Sequence, residues 1–238
     1  MKLTLWRLLK NKWREYLLEV TVIAVGITLS FLLNEFREGR LQKKAEIAAL
    51  QSIRDDMIAD STKLFEGLQY FERCDTLNSY LVKSRNGNNI NTDSVQIAVT
   101  NFGSYTTFDA QIIGYQQLKE TGLLNIIFKK PLLKALIQLY SSQYQNIKEI
   151  ESIDKKYTLD MIIPQFFEII ITDGDSLFTG SENARLQAAA KILTDLPFQK
   201  ALFMNRQLKL LGKNAYLEVL PDLRRLISQV ENELQYLE

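Results

Sequence analysis

The sequence predicts an all-α protein in which one N-terminal transmembrane helix continues into a long helix, followed by an extramembrane helical bundle. Three observations predict it. Residues 16–33, YLLEVTVIAVGITLSFLL, form an apolar run with a single charge, Glu19. Counting Asn34 to Phe36, the run reaches the length of about 20 residues that a spanning helix needs. Downstream, apolar residues recur at three- and four-residue steps, and no useful stretch alternates with the period of a strand. Four prolines and ten glycines in 238 residues leave room for long uninterrupted elements.

Charge and composition bound the function. Residues 1–44 hold nine Lys/Arg against four Asp/Glu, net +5, so the other 194 residues sum to −4 to reach the chain's +1. The positive charge flanks the apolar run, and no basic surface is left over to take nucleic acid as a partner. The chain has no histidine and one cysteine, Cys74. An internal disulfide, His-dependent catalysis and His-based metal sites are therefore excluded.

In chain order, residues 1–15 read as a basic amphipathic segment at the membrane interface. Leu3, Trp6 and Trp13 share one helical face while Lys2, Arg7, Lys10 and Arg14 lie elsewhere. Trp6, Trp13 and Tyr16 are amphipathic rings suited to the headgroup level, and Arg7, Lys10 and Arg14 favour an anionic leaflet. Residues 16–36 are the span. A secretory signal peptide is the competing reading, but it needs a small-x-small cleavage site and the run ends in bulky LSFLLNEF. Five Lys/Arg precede the span and four follow closely. With the amino terminus added, the bias expects the N-terminus in the cytoplasm and the C-terminal domain in the periplasm, anchored in the inner membrane.

Residues 37–238 form the extramembrane domain. From Glu35 nothing stops the helix, and Ile47, Leu50, Ile53, Met57, Leu64, Leu68 and Phe71 place one stripe against other helices. Asp60-Ser61 is a candidate break, because both residue types favour caps. NGNNINTD (86–93) is a turn-rich loop from which Thr92 or Asp93 caps a short helix through about Asn101. A further helix starts at Asp109, with Gly122 just past its end. Pro131 opens a segment free of glycine, expected to kink near Pro164. TDGDSLFTGSEN (172–183) is a loop, followed by ARLQAAAKIL, a helix from Asp195 to about Leu211, and a last helix. In that last helix Leu220, Leu223, Ile227, Val230, Leu234 and Leu237 step by threes and fours. This seam serves packing inside the domain or pairing with a second subunit.

The search for chemistry returns little. There is no Gly-rich phosphate loop, no GxSxG elbow and no Cys/His metal spacing. Asp56 and Asp60, four apart on one helix face, are weak candidates for a hard cation. Asp173-Gly174-Asp175 starts like a calcium loop and fails where Phe178 and Ala184 stand. Cys74 has Arg73 beside it but no base, which suits a structural thiol. The expectation is no enzyme, no catalytic or metal-binding residue and no cofactor.

The stretch YLLEVTVIAVGITLSFLLNEFRE, with Tyr16-Leu17-Leu18, Glu19, Gly26, Asn34 and Phe36, followed by LQSIRDDMIAD, resembles the N-terminal signature of a family of uncharacterised small bacterial membrane proteins common in Bacteroidota. TTFDAQIIGYQQLKETGLLNII (106–127) and PLLKALIQLY (131–140) are similar to that family's second segment. The sequence departs from the pattern at the exit, where Phe36 stands in place of a common Trp. The resemblance implies one N-terminal span plus a helical domain, and it implies no activity.

Two function classes follow. In one, the protein is a membrane-anchored assembly module, a homo-oligomer through its span in the lipid bilayer, with the helical domain free to meet a protein partner. In the other, several spans gather into an ion-conducting pore or a membrane-disrupting effector. Both use the face on which Glu19, Ile23, Gly26, Ser30, Leu33 and Asn34 cluster. Gly26 and Ser30 on that face form a small-xxx-small pair.

Overall fold

The computed structural model describes residues 2–85, 90–120, 122–127, 129–169 and 175–237. Helices account for nearly all of them, and no strand occurs among the described residues. The organising element is α1, Lys2–Arg85, 84 residues without interruption. At 1.5 Å per residue it is a rod of about 125 Å. Its stretch from Tyr16 to Ala45 is exposed throughout, and burial begins at Glu46.

The break expected at Asp60-Ser61 is absent. Asp60 does not cap anything. It is fully buried and accepts a hydrogen bond from the Gln111 N–H, 51 residues away. Leu50, Ile53, Met57, Leu64, Leu68 and Phe71 are all buried as the spacing predicts, with Ile47 partly so. A helix whose apolar stripe is continuous across a pair of cap-favouring residues gains more from packing than it loses in propensity.

The partner of that stripe is α9, Leu196–Leu237. Two helices were expected here, and one 42-residue helix is found. Neither of its breakers ends it. Gly212 is buried against Phe71, whose Cζ would lie 2.5 Å from an added Cβ. Pro221 is exposed, so the Leu217 carbonyl that it leaves without an N–H partner can take water. Gly67 faces Tyr216, Phe71 faces Gly212 and Asn78 faces Asn205, so α9 runs antiparallel to α1. Leu220, Leu223, Val230 and Leu234 are buried in the core, with Ile227 and Leu237 packed against it. The 220–237 seam is thus occupied within the chain.

Between the two long helices the chain adds a third layer. Helix α2, Thr92–Phe102, is capped by Asn91, whose side chain accepts from the Ser94 N–H, rather than by Thr92 or Asp93. The helix expected from Asp109 begins only at Ile113, as α3, Ile113–Glu120. Gly122 adopts φ 69°, the left-handed conformation that suits it to the position after a helix, and leads into a 3-10 turn at Leu123–Ile126.

From Lys130 to Ile169 the chain is helical throughout: α4, Lys130–Gln138, α5, Tyr144–Tyr157, and α6, Ile163–Ile169, are joined by π turns at Leu139–Gln143 and Thr158–Ile162. Pro131 sits in the first turn as expected. The expected kink at Pro164 is realised as the second π turn. A wider turn just before the proline absorbs both its missing N–H and the clash of its ring with the Asp160 carbonyl. The first four residues of the 172–183 loop include ones outside the described residues, among them Asp173 and Gly174. Helices α7, Asp175–Thr179, and α8, Glu182–Thr194, close the far end.

Two apolar cores result. The nearer to the exposed part of α1 joins Leu50–Phe71 to Ala215–Leu234 through Leu132, Leu136 and Ile147. The farther joins Leu81 to α2, α8 and the start of α9. Cys74 is buried, and burial pushes its pKa up.

The close approach at Gly67 gives a test. A Cβ there would collide with the Tyr216 ring, which is 1% exposed and cannot swing away. Gly67→Ala should therefore lower stability by about 1–3 kcal/mol, the usual cost of overpacking. Gly39→Ala, with open space around it, should be neutral or gain up to about 1 kcal/mol. Denaturation of the detergent-solubilised chain followed by circular dichroism measures both.

Candidate functional site

Two features of the structure carry chemistry beyond packing: the exposed apolar stretch of α1, and a polar layer that holds an irregular strap inside the domain.

Among the described residues, α1 is the one helix long and apolar enough to cross a membrane, and none of its apolar window is buried. Leu17, Phe31 and Leu33 are more than half exposed. The serine and threonine hydroxyls within the stretch are satisfied by the helix itself: Thr21 donates to the Leu17 carbonyl, Thr28 to Ala24 and Ser30 to Gly26, at 2.7–2.8 Å. That arrangement leaves none of these three protons unpaired in an apolar medium. Asn34 donates to Glu38 Oε1 at 2.8 Å, and the Arg40 guanidinium lies 4.4 Å over the Phe36 ring. The polar groups thus cluster at the C-terminal end of the run.

Of the six residues singled out on one face, Ile23, Gly26, Ser30 and Asn34 lie with Ile27 and Phe31 along one shallow, open groove of the bare helix, at Gly26. Glu19 and Leu33 lie outside its lining. Trp13 and Tyr16 are about half exposed. The side chains of Trp6, Arg7, Lys10 and Arg14 lie outside the described residues, although the backbone there continues the helix.

The strap is Gly103–Ile112, between α2 and α3. It has no regular structure because side chains of three helices take up its backbone groups. The Phe108 N–H donates to both Glu151 carboxylate oxygens, at 2.8 and 2.9 Å. The Gln111 N–H donates to Asp60 at 2.8 Å, and Gly114 N–H, at the first turn of α3, to Asp56 at 3.0 Å. On the carbonyl side, Lys209 donates to Ser104 O at 2.8 Å, Lys63 to Asp109 O at 2.5 Å, and Asn205 to Phe102 O at 3.2 Å. These contacts tie the half-buried strap and its two ends to the helices around it.

The polar side chains are themselves tied together between the two apolar cores. Lys209 is 3% exposed, forms an ion pair with Asp154 at 2.6 Å and stands 5.5 Å from the centre of the Tyr70 ring. Asn78 donates to Asn205 Oδ1 at 2.9 Å. The Tyr216 hydroxyl donates to Glu151. Burial raises the Glu151 pKa against the pull of that hydroxyl and of the Phe108 N–H.

Asp60 is the strained member. Burial pushes its carboxyl from 3.8 up to about 6, against the Gln111 N–H, the nearby Tyr144 hydroxyl and Lys63, with the Asp56 charge adding to the rise. Its second oxygen has no hydrogen-bond partner, and neither do the buried hydroxyls of Tyr140 and Tyr144. Asp56 and Asp60, weak cation candidates in the sequence, are thus acceptors for the strap. Among the described residues no His, Cys, Asp or Glu group is arranged to hold a metal ion.

Sequence reasoning missed Glu151, Asp154, Asn205 and Lys209. A readable signal exists: Asn78, Asn205 and Lys209 occupy positions in phase with the buried apolar stripes of α1 and α9. A polar residue in such a position requires a partner.

The Asp60 carboxyl gives a pH test. An acid whose pKa is higher folded than unfolded binds its proton more tightly in the folded state. Its ionisation therefore costs stability in full above about 6, and the cost is relieved as pH falls from about 6 toward 3.8. Asp60→Asn keeps an acceptor for the Gln111 N–H and removes the charge. It should stabilise the chain at pH 8 by about 1–3 kcal/mol, since ionising a carboxyl whose pKa rises from 3.8 to about 6 is costly, and the gain should shrink by pH 5. Lys209→Met strands the buried Asp154 carboxylate and should cost about 3–5 kcal/mol at neutral pH. Thermal melts at the two pH values read both.

Compared with protein-family models, curated proteins and solved structures, the chain matches none, so its function is argued from its own residues.

Proposed function

We propose that the protein is a membrane-anchored helical assembly module, held in the inner membrane by residues 16–36 and self-associating through that span. The observation that carries this reading is the single unbroken helix α1, bare over its apolar stretch and buried from Glu46 onward. A rod of this kind joins bilayer to domain without a hinge. Nine exposed residues, Arg37 to Ala45, separate Phe36 from Glu46, a rise of about 15 Å at 1.5 Å per residue. The domain then stands clear of the headgroups, with its sides open to a protein partner.

The groove floored by Gly26 supports self-association, because it lets a second backbone come close, and packing between spans rests on such approach. Glu19 is the one charge in the run, and an exposed carboxylate in lipid is costly, about 2.5–3.5 kcal/mol at the helix centre. It lies about one turn inside the run, where it reaches the interface or a neighbouring chain. The Lys/Arg bias supports a cytoplasmic N-terminus and a periplasmic domain.

Gly26→Leu, which fills the groove, should reduce oligomer size by mass photometry in mild detergent, whereas Thr21→Leu should not. An unchanged assembly would make the span a plain anchor. Ion leak from liposomes bearing the protein, altered by Glu19→Gln, would replace the assembly reading with a pore. A periplasm-only reporter should be active after Glu238 and a cytoplasm-only reporter before Met1; the reverse pattern overturns the orientation.

A further inference from the structure

Past the apolar run, α1 carries its charges in separate sectors. The eight residues after Phe36 hold Arg37, Arg40, Lys43 and Lys44 against one acid, Glu38, and all of these are exposed. At about 100° per residue, Arg40 and Lys44 lie about 60° and 20° from Arg37 in the same direction, and Lys43 flanks them. Glu38 and Glu35 lie about 100° and 160° round the other way. Arg37, Arg40 and Lys44 thus form a cationic stripe with no acid on it. Glu38 accepts from the Asn34 amide at 2.8 Å, and among the described residues no carboxylate pairs with any of the three cations. The domain supplies no partner either. Leu50 and Ile53, which open the buried stripe of α1, lie about 140° and 160° from Arg37, so the domain packs on the other side of the helix.

Position says what meets the stripe. The headgroup zone adds about 5–7 Å on each side of a hydrocarbon core of about 30 Å. At 1.5 Å per residue, Arg37 and Arg40 are about 1.5 and 6 Å beyond Phe36, inside that zone, and Lys44 is about 12 Å beyond it. Every Cα–Cβ bond of a helix tilts toward the helix N-terminus. On this side of the span the N-terminal direction is the bilayer, so all three side chains set out back toward the headgroups. The long Lys44 chain covers the remaining distance. The Arg40 guanidinium is already drawn that way, lying 4.4 Å over the Phe36 ring.

We propose that the stripe of Arg37, Arg40 and Lys44 binds the phosphate of an anionic phospholipid in the leaflet into which α1 emerges. The inference rests on the membrane anchor proposed above and adds to it a lipid preference confined to one side of the helix. Three cations without a compensating acid favour a lipid of net negative charge, because a zwitterionic headgroup brings a cation of its own. Arginine adds geometry: a guanidinium holds two phosphate oxygens at once, and Arg37 and Arg40, about one turn apart, reach the same phosphate.

The test places a tryptophan at the exit of the span. With Trp6 and Trp13 replaced by Phe, the full chain carries one reporter, Phe36→Trp beside the stripe or Phe31→Trp on the acidic side. Both native rings are exposed, at 61% and 71%. Each variant is reconstituted in vesicles of phosphatidylcholine and phosphatidylglycerol in equal parts, with bromine on the chains of one lipid or of the other, since brominated chains quench a tryptophan that they touch. Comparing two lipids at one position cancels depth, and the reporter leaves the bilayer with the stripe whichever way the chain inserts. Phe36→Trp should be quenched more by brominated phosphatidylglycerol than by brominated phosphatidylcholine, and Phe31→Trp equally by both. Adding Arg40→Gln and Lys44→Gln should remove the excess, each cation near an anionic surface being worth about fivefold in local lipid. Both positions are exposed, so folding is not at stake. Equal quenching by the two lipids at Phe36→Trp overturns the stripe and leaves the anchor standing. An excess of the same size at both reporters, or one that survives the double substitution, belongs to the chain as a whole and also overturns the stripe. Quenching by aqueous iodide but by neither lipid puts both reporters in water, and the anchor falls together with the proposal.

Discussion

The fold depends on how a ten-residue strap is held between helices. Where a segment without regular structure packs against helices, each backbone N–H and carbonyl that it turns away from water needs a partner. Here Asp60 and Lys63 from α1, Glu151 from α5 and Lys209 from α9 each take a backbone group of the strap, and Asp56 and Asn205 take one just beyond each end. The same contacts fix the relative positions of the three helices, since each reaches a different point on one short segment. Buried ionic groups of this kind add little net stability against an apolar alternative, but removing one partner is costly because the other is left charged in the interior. Their effect is to select one arrangement of helices among the several that apolar packing alone would allow.

The pairing of α1 with α9 turns that arrangement into a rod. The glycines at 67 and 212 let the two backbones approach where Tyr216 and Phe71 cross, and the rings fill the space that each glycine leaves. A chain of aromatic contacts continues from there through Phe108, Tyr144 and Tyr140 to Tyr115. The strap therefore lies within the aromatic packing as well as within the polar layer. With α1 unbroken, any tilt of its exposed part is transmitted to the domain as a rigid-body movement.

Much of the architecture was legible because helix patterning is local. The stripe from Ile47 to Phe71, the exposed apolar run and the left-handed Gly122 each follow from a few neighbouring residues. The misreadings were places where distant contacts decided. Asp60 looked like a cap and is an acceptor for a backbone 51 residues away. Asp109 looked like a helix start, yet Glu151 and Asp60 draw the backbone around it out of helical bonding. The helix expected to end near Leu211 runs on because Gly212 packs against Phe71, which lies far off in sequence. The buried Lys209–Asp154 pair was not legible, because nothing local marks a lysine as interior except the phase of its helix.

The wide separation of α1 and α9 along the chain bears on synthesis. Asn78 and Asn205 are 127 residues apart, an interval of roughly 6–25 s at about 5–20 residues per second. Throughout it, the stripe of α1 is made but its main partner is not, while the apolar run ahead of it has already left the ribosome. The exposed apolar run is therefore complete well before the domain can close. The long apolar face behind it has to be shielded by a helper, or by the α2 and α4–α5 segments as they emerge, until the last helix arrives to seal it.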